Sequence, residues 1–262
     1  LRFAAHNDGA APARWLLELA EPLLEHVDLY VVHRDGRSES WRTGSALPFA
    51  NRALGHANFV FPLENAPHEA AIYYLRVRGG PVLRAPLRAW SYAAYAEHHE
   101  RELLLRALCL GALLTLALSQ LNARVRRMQG AWRALFVLSL AGVLMSFSGQ
   151  LAQFLLPDSP RAVVHLPALT VALAMVSLAF GAADQLRAHA QLARPCRAAA
   201  YAMLLLLPLA WLVHTGLVLR VELGLLLALS SLVLIRLVRP LAGRLRSQAA
   251  SARVQVLPRA GE

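Results

Sequence analysis

The sequence predicts an all-β jelly-roll or sandwich domain followed by an α-helical transmembrane bundle of about five spans. Three observations carry that prediction. The 262 residues are 57% hydrophobic, above the roughly 45–50% of soluble domains. The excess is confined to the part after Leu103, where long apolar blocks alternate with short arginine-rich gaps. Before about Ala96 the chain is mixed in polarity and broken every few residues by turn formers.

The first part reads as short strands. ARWLLELA, VDLYVVHR, NFVFPLE, AIYYLRVRG and APLRAWS are rich in Val, Tyr, Phe and Leu, and HNDGAAP, RDGRS, NRALGH and ENAPH punctuate them. Asp35-Gly36 is a hairpin signal after VVHR. Leu1-Arg2-Phe3 reads as the interior of a strand, so an N-terminal truncation is expected. The β domain is therefore set at 1–95, a juxtamembrane linker at 96–102, and a helix continuous with the first span is expected to start near Tyr92.

A spanning helix needs roughly 20 mainly apolar residues. Five stretches qualify within 103–240: 103–121, 134–156, 163–183, 198–219 and 221–238. The fifth is the shortest; Glu222 and Arg236 lie near its ends, where long side chains reach the headgroups. The gaps alternate in basic content. The first carries Arg124, Arg126, Arg127 and Arg133, the second only Arg161 beside Asp158, the third Arg187, Arg194 and Arg197, and the fourth only Arg220. The tail, 241–262, is basic again. The positive-inside rule then puts the tail in the cytoplasm and the β domain outside, periplasmic in a Gram-negative cell.

All 27 basic side chains are arginine, with 16 acidic residues against them. Arginines set between apolar blocks point to a bilayer rather than to nucleic acid, which takes a basic face on a soluble fold. Cys109 and Cys196 lie in or beside apolar blocks and read as small apolar residues. No phosphate loop, metal-ligand cluster or nucleophile elbow is present, so no catalytic residue, cofactor or metal is expected. His98-His99 reads as part of a solvated linker, because adjacent helical side chains diverge. Gln150, Gln153 and His214 are the polar candidates inside spans; either they serve function or they bond a neighbouring helix.

A series of short motifs then falls in order: Leu1-Arg2-Phe3 to Asn7, Trp15 to Leu19, Pro22 to Tyr30, Trp41-Arg42-Thr43-Gly44, Leu47-Pro48-Phe49, Asn51-Arg52, Phe59 to Leu63, Tyr74-Leu75-Arg76-Val77 and Pro86 to Trp90. Over roughly Leu1 to Tyr95 this resembles the second extracellular domain type of the bacterial 7TM receptors with diverse intracellular signalling modules. Gly149, Gln153, Phe154, Leu155 and Pro157 resemble the end of that family's second span. Two departures stand out: Gly44-Ser45 replaces the family's Gly-Asp, and five spans are read where the family has seven.

The resemblance implies a carbohydrate-binding-like jelly roll that detects a small extracytoplasmic ligand, a carbohydrate or metabolite. It also implies a signal passed through the helices to a cytoplasmic diguanylate cyclase or histidine kinase, here as a separate partner, with a homodimer as one assembly. Trp41, Arg52, Arg76, Tyr30 and Trp90 have side chains suited to sugar stacking and hydroxyl bonding; alternatively the aromatics fill the core and the arginines clamp loops. The competing function is a non-signalling, membrane-anchored periplasmic binding or scaffold protein.

Overall fold

The computed structural model describes residues 1–80, 85–122, 127–186, 190–212, 217–218 and 220–225. Among these residues seven strands precede the helices: β1 (Arg2–His6), β2 (Ala13–Leu19), β3 (His26–Val32), β4 (Ser38–Thr43), β5 (Phe59–Asn65), β6 (Ala70–Arg78) and β7 (Leu87–Trp90). They form two antiparallel sheets, β1-β6-β3-β4 and β5-β2-β7.

The alternation of side chains sets the faces. Val27, Leu29 and Val31 of β3 meet Ala71, Tyr73 and Leu75 of β6 and Phe59, Phe61 and Leu63 of β5 in one core. Asp28 and Tyr30 point to the opposite face of the first sheet, in register with Arg76 and Tyr74. β2 departs from this pattern, since Leu16, Leu17 and Glu18 are all buried. A strand apolar on both faces is a strand covered on both faces, and here the second cover includes the head of the first helix. The β3–β4 turn closes with Gly36 at φ +88°, its N–H donating to the His33 carbonyl at 3.1 Å.

The helices are α1 (Tyr92–Asn122), α2 (Arg127–Phe147), α3 (Gln150–Phe154), α4 (Pro160–Gln185) and α5 (Ala190–Leu212). Among the described residues three of them are long and apolar enough to cross a membrane: Tyr92–Leu121, Gly130–Phe147 and Pro160–Gln185. α5 overlaps the fourth expected span, and most of the fifth, together with the 241–262 tail, Arg124, Arg126 and Arg187, lies outside the described residues. The expected span 134–156 is built as two helices: α2 ends at Phe147 and Gly149, at φ +72°, turns the chain into α3.

α4 packs between α2 and α5. Ala168, Ala172, Val176, Ala179 and Ala183 of α4 are buried, as are Ala193, Cys196, Ala200 and Met203 of α5. Small residues at helical spacing let the backbones approach closely, which is how helices associate in lipid. Trp132 stacks on Phe180 at 4.7 Å, and Tyr201 meets Phe180 edge-on at 5.4 Å. Outward, α1 exposes Leu104, Leu105, Leu108, Leu118 and Leu121, a surface suited to acyl chains.

Candidate functional site

Residues 44–58 leave β4 and run along the membrane end of the sandwich before entering β5. Gly44 starts the turn at φ +148°, where any Cβ would collide with the Glu25 carbonyl. Ser45 donates from its N–H to the Leu24 carbonyl at 2.8 Å and from its hydroxyl to the Leu23 carbonyl at 3.3 Å. An ionised Asp accepts only, so the Gly-Asp of the resembling pattern could not make the second bond.

Arg52 holds the loop together. It is buried, donates to the His56 carbonyl at 2.8 Å and to the Ala57 carbonyl, and lies between the rings of Phe49 and Phe59 at 4.7 and 4.5 Å. Among the described residues its Nε has no hydrogen-bond partner, and burial pushes its guanidinium down to about 10.

The same loop rests on the helices. Phe49 N–H donates to the Pro157 carbonyl at 3.1 Å, and Gln153 Nε2 donates to the Gly55 carbonyl at 3.2 Å. Gly149 lies against Pro22 and the Ala57 carbonyl so closely that a Cβ would sit 2.6 Å from Pro22. A narrow gap lined by Ser45, Phe49, Arg52, Ala152, Pro157 and Val163 separates loop from bundle. Gln150 is buried one turn away and accepts from the Ser148 hydroxyl at 3.3 Å.

A second contact joins the sandwich to α1. Glu18, buried on β2, accepts from Asn58 Nδ2 at 2.7 Å and from the Trp90 indole N–H at 2.8 Å. Trp90 stacks on His98 at 4.7 Å. His56 Nδ1 accepts the Asn58 N–H at 3.0 Å, which leaves its proton on Nε2, 2.9 Å from His99 Nδ1. His99 in turn stacks on Tyr95. Burial, with the nearby His99 imidazole next, holds His56 down at about 4. His98 and His99, read from sequence as solvated linker, are therefore built into the joint.

The five expected ligand residues lie in three places. Tyr30 and Arg76 share the outer face of the four-stranded sheet with Tyr74. Trp41 faces inward, its ring 6.1 Å from Phe61, and packs on the core. Arg52 and Trp90 belong to the two membrane contacts just described. His214 lies outside the described residues, while Glu222, expected to reach the headgroups, is buried, and among the described residues its carboxylate has no hydrogen-bond partner. Among the described residues no group of three or more His, Cys, Asp or Glu could hold a metal.

Sequence reasoning missed Glu18, His56, Asn58 and a groove of about 600 Å³ between the free edges β1 and β7. Phe3, Trp15 and Leu17 line its floor with Asn65, and Arg2 and Arg88 lie at its sides. The apolar run on both faces of WLLEL was the readable signal for Glu18; His56, in a turn-like GHAN, gave none. No curated protein and no solved structure matches this chain. Residues 1–91, which hold the seven described strands, match the family model described as 7TMR-DISM extracellular 2, so the N-terminal domain is similar to that family's extracellular domain.

Proposed function

We propose that this chain is a transmembrane receptor of the bacterial inner membrane, without chemistry of its own. Its jelly-roll domain meets a small solute in the periplasm, five spans carry the change inward, and the basic tail lies in the cytoplasm. A diguanylate cyclase or histidine kinase acts as the output partner, and a homodimer is the natural unit for such output. A carbohydrate suits the outer face bearing Tyr30, Tyr74 and Arg76, where aromatic rings and a guanidinium lie side by side in register.

The observation that carries this reading is the double attachment of loop 44–58. It is bonded to the α2–α4 turn through Phe49 and Gly55 and to α1 through His56. An anchored domain needs one tether; a domain bonded through its own loop both to α1 and to the turn between α2 and α4 has a route for a population shift. The arginine alternation supports the orientation, because the sparsely charged second gap is the one that touches the β domain.

The test replaces Cys109 and Cys196 by Ala, places cysteines at Gly55 and Gln153, and bridges them with a short bis-maleimide. Deleting the protein should change cyclic-dinucleotide or phosphorelay output, and bridging should freeze that output in one state. Unchanged output on deletion would overturn the receptor reading in favour of a periplasmic binding or scaffold protein.

A further inference from the structure

We propose that the groove between the β1 and β7 edges binds a small amphipathic anion: a flat apolar body carrying one carboxylate. The groove lies between two sheet edges rather than on the outer face of Tyr30 and Arg76, and it meets that face only where Arg2 leans over Tyr74.

The shape comes first. A groove of about 600 Å³ falls within the roughly 300–1,000 Å³ usual for small-molecule sites. Its walls are apolar and aromatic, and their orientation is fixed. Phe3 stacks on Tyr73 at 5.0 Å and 7°, and Trp15 meets the same ring edge-on at 5.6 Å. The Trp15 indole N–H is tied to Asn65 Oδ1 at 2.8 Å. Aromatic walls held this way lose little freedom when a flat ligand enters.

The polar groups set the ligand's charge. Indole only donates, so Asn65 must turn Oδ1 toward Trp15, and Oδ1 also takes the Tyr73 hydroxyl at 2.9 Å. That leaves Asn65 Nδ2, buried and without a hydrogen-bond partner among the described residues, as a donor to spare on a residue of the groove floor. An unmatched buried donor is a cost that an acceptor on a ligand removes. Arg2, Arg88 and His6 also line it, and among the described residues no Asp or Glu does. His6 is already paired with Asp8 at 2.6 Å, whereas Arg2 only leans over the Tyr74 ring, at 5.8 Å. A positive rim above an apolar floor complements a carboxylate on a hydrophobic body. A sugar would bring many hydroxyl groups to a wall that offers few partners.

The probe is 2-naphthoate, titrated calorimetrically into the full chain in lipid nanodiscs, with its methyl ester as the uncharged control and empty nanodiscs as background. Saturable binding at one site per chain is expected. The double variant Arg2→Glu/Arg88→Glu should weaken naphthoate at least tenfold and leave the ester unchanged. Ala5→Trp and Ala89→Trp, which fill the groove from opposite edges, should each abolish binding while the thermal transition is kept. No heat above empty nanodiscs, binding that survives both fillers, or a protein dimer that the fillers split would each overturn the proposal. None of these readouts uses signalling output, so failure here leaves the receptor reading to its own test.

Discussion

Arg52 donates to two backbone carbonyls and fills the space between two phenylalanine rings. Replacing it by Met keeps the length and strands both carbonyls, a loss of about 3 kcal/mol by the usual cost of buried unpaired polar groups and lost cation–π contact. Thermal unfolding of the full chain in detergent should register that loss, and Arg52→Lys should recover only part of it, because an ammonium lacks the fork; a Met variant as stable as the parent would refute the clamp. His56 gives a pH dependence. Its value falls from 6.5 in the unfolded chain to about 4 in the fold, so the unfolded state holds more protons between those limits. The joint is therefore fully formed above about pH 6.5 and loosens as the pH falls toward 4. The chemistry agrees: a proton on His56 Nδ1 would face the Asn58 N–H, and one on His99 Nδ1 would face His56 Nε2–H. Hydrogen exchange of the 53–58 amides should rise over that window in the parent and lose the pH step in His56→Gln. The residue type of Arg52 was visible in the sequence and its two readings were both open; the contacts that decide its surroundings come from Phe49 and Phe59, whose meeting no local pattern encodes.

Strands are the elements whose sequences were most legible. VDLYVV and AIYYLRV alternate, and alternation follows directly from the strand period of two; both occur as β3 and β6. The helical break after Phe147 was less legible, because SFSGQLAQFLLP keeps the hydrophobicity of a span while Gly149 leaves it. Only the tertiary neighbour explains the glycine. Gly149→Val would combine a left-handed backbone with a collision against Pro22, at a cost of about 1–3 kcal/mol. The effect should be local: protease cleavage in 44–58 accelerates while α2 and α4 keep their helical signal. Cleavage at the parental rate would mean that α3 does not seat the loop. The groove was illegible for a related reason, since Phe3 and Trp15 lie on different sheets and read separately as ordinary core.

For the whole molecule, the arginine counts predict an orientation, and the number of spans rests on hydropathy alone. The first gap and the second gap must lie on opposite sides if α2 crosses the membrane. In a chain with Cys109 and Cys196 replaced by Ala, a cysteine at Asp158 should react with an impermeant maleimide from outside the inner membrane. One at Arg126 should react only after the membrane is opened, and the reverse pattern would invert the topology. One dimension then has a mechanical consequence. α1 runs unbroken for 31 residues, about 46 Å at the usual helical rise, against an acyl core of roughly 30 Å. Its first turns are gripped by Trp90 and His56, and the helix runs to its far end without a break. It is therefore a lever with its short arm in the sandwich. A tilt of roughly 5° at the grip swings the opposite end by about 4 Å at that length, so that a rearrangement too small to change the fold of the sandwich is a large displacement at the far end of α1.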